Sequence, residues 1–289
     1  VALPPLKAPP WATVLDFLHH RMPAVARADW ALRLARGQVL RENGEALAPD
    51  APYAGGTRVY YYRDVPDETP VPFEETVLYQ DAHLVVADKP HFLPVTPGGR
   101  YVQQSLLVRL QRRLGLPELA PLHRIDRETA GLVMFAVQPG ERGVYHALFS
   151  ERRVEKTYEA IAPNAEHIAW PLTRRSHLAE HPTDFFRMCE VDLQLANSET
   201  TIDLLERHGP WARYRLLPHT GKRHQLRVHM LALRLPIAGD QLYPEVLHGP
   251  DDKEDFARPL RLLAQAIAFT DPVTGEARRF ESQRRLDWP

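Results

Sequence analysis

Cysteine occurs once in these 289 residues, at Cys189. A lone thiol excludes an internal disulfide framework and fits a reducing cytoplasm, the expected localisation. No apolar run approaches the roughly 20 residues that cross a bilayer, so no membrane partner is expected. Nothing reads as a secretory signal, although the chain opens on Val1 rather than Met, which leaves its N-terminus weak as evidence. Net charge is lacking too. The 36 basic and 37 acidic side chains leave −1, without the basic excess that usually marks a nucleic-acid-binding domain. No His-Glu-x-x-His helix is present to hold zinc. The rest is ordinary for a globular protein, with 44 % apolar and 25 % charged residues. The length suits two domains, or one domain with an appendage.

Residues 1–10 are proline-rich and read as an extended arm. Residues 11–63 read as a small α+β unit. Val14, Leu15, Phe17 and Leu18 mark one short helix, and Trp30, Leu32 and Leu34 a second that stops at Gly37. Val39 and Leu40 lead to the hairpin signal Asn43-Gly44, and Gly55-Gly56 precedes the β-prone run Val59–Tyr62. Residues 64–73, with three prolines and several acids, read as a linker. From 74 to 289 strands and helices alternate without a regular βαβ period, which predicts an α+β domain; there is no internal repeat. Leu106, Leu107, Leu110 and Leu114 share one helical face with arginines opposite. The stretch 165–190, with Trp170 and Phe185-Phe186, carries no assignment.

Basic residues cluster despite the neutral balance: Arg109 with Arg112 and Arg113, Arg152-Arg153 with Lys156, Arg174-Arg175, and Lys222-Arg223 with Arg227. They either solvate separate faces or converge on one, with acids such as Asp251-Asp252 and Glu254-Asp255 lying elsewhere.

The chemistry concentrates in three blocks. In Pro121-Leu-His-Arg-Ile-Asp-Arg-Glu-Thr-Ala-Gly131 the carboxylate of Asp126 sits between Arg124 and Arg127, just before the apolar run Leu132–Val137. Such an Asp either caps a turn and pairs with a neighbouring Arg, or is a reactive carboxylate held at a rigid strand end. In Arg153-Val-Glu-Lys-Thr-Tyr158-Glu-Ala-Ile161, period two puts Lys156, Tyr158 and Ala160 on one side of a strand. A strand Tyr by itself is a packing residue as readily as a functional one. In Thr220-Gly-Lys-Arg-His-Gln-Leu-Arg-Val-His-Met230 a helix is expected to start near His224, with Leu226, Met230 and Leu233 on its buried face and His224 and Arg227 on a neighbouring one. His219, His224 and His229 recur in steps of five. That spacing sets them about 140° apart on a helix and argues against a metal site.

These blocks, in this order, resemble the RluA family of RNA pseudouridine synthases. The family carries His-Arg-Leu-Asp-x-x-Thr-Ser-Gly before a hydrophobic strand, a Lys-Thr-Tyr strand, and Thr-Gly-Arg-x-His-Gln-Ile-Arg-x-His. Here Ile125, Ala130 and Lys222 are the departures. Asp88-Lys-Pro90 matches the first family block in part, and is read as packing, the alternative being that Lys89 approaches the site. Leu235-Pro-Ile-Ala-Gly-Asp240 with Tyr243 matches a later stretch, read as turn and core. Residues 11–63 resemble the small RNA-binding domain of ribosomal protein S four.

The resemblance implies a mixed, largely antiparallel β-sheet core with flanking helices. It implies a cofactor-free, metal-free isomerase acting on a uridine swung out of structured ribosomal or transfer RNA. Asp126 is then the catalytic carboxylate, Tyr158 stacks on the uracil and is the favoured acceptor of its C5 proton, and Arg227 pairs with Asp126. Arg124 fills the space of the extruded base; Leu226 packs on the uracil; His224, Lys222 and Lys156 serve RNA or substrate contact. A monomer is expected. Two other readings compete: an RNA-binding protein that keeps the fold without catalysis, and a glycoside hydrolase, which would need a second carboxylate.

Overall fold

The computed structural model describes residues 1–23, 25–61, 68–184, 186–192, 195–247 and 255–289. The expectations for Tyr62, linker residues 64–67, Phe185, Asp251, Asp252 and Glu254 fall outside them. The chain divides into two compact units, Val1–Pro66 and Asp67–Pro289.

The first unit begins with α1 (Val14–Arg21). Thr13 accepts a hydrogen bond from the Asp16 amide and returns one to its carboxylate, which satisfies the free end of the helix. α2 (Arg27–Ala35) ends at Gly37, whose φ of +67° lets the Gln38 amide reach back to the Arg33 carbonyl. β1 (Val39–Arg41) pairs antiparallel with β2 (Val59–Tyr61), and the Asn43-Gly44 turn returns the chain to a bridge between Leu40 and Ala46. Trp30, Phe17, Leu18, Leu34 and Val39 form the core. Leu32 is 48 % exposed and belongs to the outer face of α2. The proline-rich arm is tied down: Leu3 is buried and its amide donates to the Thr57 carbonyl.

The second unit is one large sheet. Its strands are β3 (Thr76–Gln80), β4 (Leu84–Lys89), β5 (Ala120–Pro121), β6 (Ala130–Ala136), β7 (Glu155–Pro163), β8 (Leu172–Glu180), β9 (Met188–Val191), β10 (Ser198–His208), β11 (Trp211–Pro218), β12 (Leu262–Thr270) and β13 (Ala277–Glu281). The order is β3-β4-β6-β12-β7-β11-β10-β8-β9, with β13 beside β12 and β5 beside β6. β6 and β12 run parallel, and every other pair of neighbours is antiparallel. The mixed, largely antiparallel α+β core expected from sequence is what forms. β8 and β9 occupy much of the unassigned stretch, and Trp170 packs on Tyr214.

Three helices cover the sheet: α3 (Leu106–Leu114), α4 (Arg142–Ser150) and α5 (Gln225–Ala232). Alternate residues of β4 and β6 choose between two of them. Val85, Ala87, Val133 and Phe135 meet Leu106 and Leu110 of α3, while Leu84, Val86, Leu132 and Met134 meet Tyr145 and Leu148 of α4. With both faces covered, β6 is apolar throughout. α5 packs Leu226 and Met230 against Ala160, Ile202, Tyr214 and Leu216 of the central strands. It is buried on nearly every side, from Gln225 to Met230, not along one stripe.

Among the basic clusters, Arg109 and Arg113 are committed to structure. Both ion-pair with Glu75, and Arg109 donates to the Val71 and Phe73 carbonyls. Residues 71 and 73 of the expected linker are thereby packed onto the second unit. Arg174 and Arg175 pair with Glu190 and Glu199.

Candidate active site

Asp126 lies in the loop between β5 and β6, and the strand that follows it crosses β12 closely at Gly131. There φ is +109°, and a Cβ would stand 2.3 Å from the Ala264 carbonyl oxygen of β12. No other residue fits that crossing without moving backbone. Below the loop lies Lys89, fully buried, with its Nζ donating to the carbonyls of Pro90, Leu93 and Arg127 at 2.7–2.9 Å. Burial pulls this amine down to about 7, opposed by Glu128 and Asp126. Lys89 therefore braces the loop from beneath, which goes beyond the packing role read from sequence. His91 adds a contact between Nδ1 and the Glu128 carbonyl.

Facing the loop is the start of α5. Arg227 is 0 % exposed and its Nη1 stands 3.4 Å from Asp126 Oδ2. Its firmer partner is a residue read from sequence as part of a turn. Asp240, 1 % exposed, takes Nε at 2.8 Å and Nη2 at 2.6 Å as a two-pronged acceptor. Burial alone would lower the guanidinium pKa, but Asp240, then Asp126 and Glu128, drive it upward. Two buried charges without such pairing would be costly to desolvate. Asp240 also accepts from the Leu242 and Tyr243 amides. Gly239 makes that turn feasible, since with φ at +75° a Cβ would meet the Pro259 carbonyl at 2.2 Å.

His224 sits at the N-cap of α5 with φ +53° and ψ 16°. A non-glycine residue in that left-handed region costs on the order of 1–2 kcal/mol, and such strain tends to be kept at working sites. Its Nε2 is 4.0 Å from Asp126 Oδ1, and its Nδ1 is 2.9 Å from the Tyr243 hydroxyl. Burial lowers its pKa, with Asp126 opposing, so the ring is neutral near pH 7.

Tyr158, half-buried on β7, is the aromatic wall. Burial first, and Asp126 second, push its phenol pKa upward. The hydroxyl holds its proton at neutral pH. Lys156 on the same strand donates to the Thr220 carbonyl at 3.4 Å, and burial lowers its pKa. His123 is structural: Nε2 accepts from the Met134 amide and the ring stacks on Phe149 at 4.8 Å. Glu128, a further carboxylate beside Arg227, would be raised by burial but is held low by Arg127 and Arg227. It is engaged in those two ion pairs.

Asp126, His224, Arg227 and Tyr158 line an open cleft of about 1660 Å³. The cleft brings together all eight residues expected from sequence: Asp126, Tyr158, Arg227, Arg124, Leu226, His224, Lys222 and Lys156. Arg152 and Arg223 join them, so two of the four basic clusters converge here. Arg124 and Lys222 are exposed, and Arg124 has no side-chain partner among the described residues. His219, His224 and His229 each bond to a different hydroxyl, on Thr201, Tyr243 and Thr200. Among the described residues no three His, Cys, Asp or Glu side chains group to hold a metal, and no helix is long and apolar enough to cross a membrane.

Residues 83–232, more than half of the chain, match the family model for RNA pseudouridylate synthase. The chain is 33 % identical over 224 residues to the dual-specificity RNA pseudouridine synthase RluA of Haemophilus influenzae, covering 72 % of this chain and 92 % of that protein. This chain belongs to the RluA family of RNA pseudouridine synthases. It is also 30 % identical over 267 residues to the ribosomal large subunit pseudouridine synthase D of Xylella fastidiosa, covering 87 % and 79 % of the two chains. The solved human RNA pseudouridylate synthase domain containing 4 superposes with a TM-score of 0.55 at 27 % identity, over 73 % of this chain and 88 % of that one. The protein is thus an isomerase that acts on RNA, and the pseudouridine synthase fold accounts for the sheet and its cleft.

Proposed function

We propose that this synthase converts a specific uridine of structured ribosomal or transfer RNA to pseudouridine, with Asp126 as its reactive carboxylate. The observation that supports this best is Asp126 itself. It is the cleft carboxylate that lies against a buried arginine, beside a half-buried tyrosine and open to solvent. The isomerisation breaks the bond between ribose C1′ and uracil N1 and joins C1′ to C5. The proton at C5 leaves, and N1 ends with a proton. Neither redox nor energy input is required. A stacked base cannot enter such a cleft, so the nucleotide must be extruded, at a cost of a few kcal/mol. Tyr158 offers a face for the uracil, an interaction worth about 1–3 kcal/mol, and its raised pKa supports stacking over base catalysis. Leu226 lies on the apolar side of the same cleft. Arg124, exposed at the wall of the cleft, stacks in the vacated position. Lys222, Lys156, Arg152 and Arg223 supply charge for phosphates. Residues 11–63 are assigned as an accessory RNA-binding unit and 74–289 as the catalytic domain, joined by 64–73, of which Val71 and Phe73 pack on the catalytic domain, in a chain that works as a monomer.

The test uses RNA carrying tritium at uridine C5. Ribosomal and transfer RNA fractions are incubated separately with the protein, and released tritium is counted. Release from one fraction, abolished by Asp126→Ala, is the expected result. An Asp126→Ala protein as active as the wild type would remove the assignment.

A further inference from the structure

The two oxygens of Asp126 face two different side chains: Oδ2 faces Arg227 Nη1 at 3.4 Å and Oδ1 faces His224 Nε2 at 4.0 Å. Both are oriented by the same short turn. Asp240 grips Arg227 through Nε and Nη2, which leaves Nη1 to point at Asp126. Three residues on, Tyr243 contacts His224 Nδ1 through its hydroxyl, while its own amide donates to Asp240. We infer that the turn Asp240–Tyr243 is a positioning device for the catalytic carboxylate, with Tyr243 setting the tautomer of His224 so that Nε2 carries a proton toward Asp126. This inference rests on the reading that Asp126 carries the reaction.

The placement of protons at the Tyr243 hydroxyl supports it. The oxygen has three neighbours: the Met188 amide at 2.8 Å, the Met188 carbonyl at 3.0 Å and His224 Nδ1 at 2.9 Å. The amide can only donate. The single hydroxyl proton goes either to the Met188 carbonyl or to Nδ1. In the first case Nδ1 must carry the proton of the neutral ring, and the bare Nε2 lone pair would face a carboxylate oxygen. Two acceptors would then face each other across 4.0 Å. In the second case Tyr243 donates to Nδ1 and Nε2–H points at the Asp126 carboxylate, while the Met188 carbonyl gives up its hydroxyl donor; an N–H turned toward an ionised carboxylate outweighs one neutral hydrogen bond. A partner on one ring nitrogen fixes what the other can do. The 4.0 Å gap is too long for a direct bond, and catalytic hydrogen bonds often tighten only when substrate fills the site. His224 is kept in this place by the left-handed backbone at the head of α5. Tyr243 is further wedged against the Arg227 guanidinium, 5.3 Å from its ring centre, so both arms of the device touch.

The experiment compares Tyr243→Phe, His224→Asn and the double variant, with Asp126→Asn as a parallel control. Rates are single-turnover tritium release at saturating RNA; RNA affinity and thermal midpoint are measured on the same preparations. Each single variant is expected to slow release roughly 10-fold or more, as misplacement by a fraction of an ångström does, with RNA affinity within about twofold of wild type. Because Tyr243 acts through His224, the double variant should be no slower than His224→Asn alone within about twofold, as expected for coupled groups. Slowing that multiplies in the double variant, or a Tyr243→Phe protein that loses thermal stability but not rate, overturns the inference. Nitrogen chemical shifts of His224 in the intact wild type give an independent reading. A proton on Nε2 is expected, and a neutral ring protonated at Nδ1 contradicts the inference. An active Asp126→Asn protein would instead show that the underlying reading of Asp126 fails, whatever the other variants do.

Discussion

The floor and the rim of the cleft are built on opposite principles. At and beneath the floor, Arg227, Asp240 and Lys89 are ionisable groups with almost no access to water, each engaged: Arg227 with three carboxylates, Lys89 with three carbonyls. On the rim, Arg124 and Lys222 project into solvent, and Arg124 has no partner among the described residues. Buried charges hold a geometry only if every donor is met, whereas exposed ones stay available for an incoming polyanion. The protein as a whole is nearly neutral, so its affinity for RNA rests on where the unspent cations are.

The contrast can be broken most forcefully at Arg227. Arg227→Met strands Asp240 as an unpaired buried carboxylate and should cost about 3–5 kcal/mol of stability, read by chemical denaturation. A loss below about 1 kcal/mol, the scale of an exposed pair, would show that the floor is not an interlocked charge cluster. Lys89→Met comes next. Three carbonyls lose their donor, so a loss of roughly 2–3 kcal/mol is expected, together with a fall in activity, because the Asp126 loop loses its brace.

Acid probes a different part of the interior. His229 is buried and His123 and His91 are partly so, and desolvation lowers the pKa values of His123, His91 and His229 to about 3, 4 and 4. Above pH about 6.5 they are neutral in both the folded and unfolded chain and contribute no pH dependence. Below that the unfolded chain binds the protons first, so stability falls with decreasing pH until the folded pKa values are reached. Each group contributes on the order of 1 kcal/mol per pH unit in that window. Denaturation midpoints that stay level between about pH 6.5 and 4.5 would refute this.

The smallest effect on stability belongs to the rim. Arg124→Ala and Lys222→Ala should leave stability within about 0.5 kcal/mol. Each should weaken RNA binding, and Lys222→Ala should reduce the salt slope of the binding constant by about 0.7–0.9 for every phosphate that the side chain neutralises. A Lys222→Ala salt slope that matches wild type would remove Lys222 from the phosphate-binding set.

What sequence made legible follows the same division. Asp126, Tyr158 and Arg227 stand in compact blocks whose local pattern carries their chemistry, and all three face the cleft. The support beneath them was harder to read. Lys89 looked like part of a proline turn because its three carbonyl partners include Arg127, 38 residues away. Asp240 looked like a turn residue because its role depends on Arg227 arriving across a fold-dependent contact. Arginine clusters were ambiguous for the same reason. Glu75 claims Arg109 and Arg113 from a distant part of the chain, so that cluster is structural, while Arg152 and Arg223 reach the cleft. α5 shows no clean apolar stripe since it is buried on nearly every side, and periodicity cannot report such a helix well.

If chemistry resides on the floor of the cleft and binding on its rim, Asp126→Asn must separate the two. The variant is assayed on one preparation for RNA affinity and for tritium release from uridine C5. Affinity within about twofold of wild type is expected, as suits a residue with no phosphate to hold, together with no detectable release. Release at the wild-type rate, or binding abolished along with activity, would contradict that division.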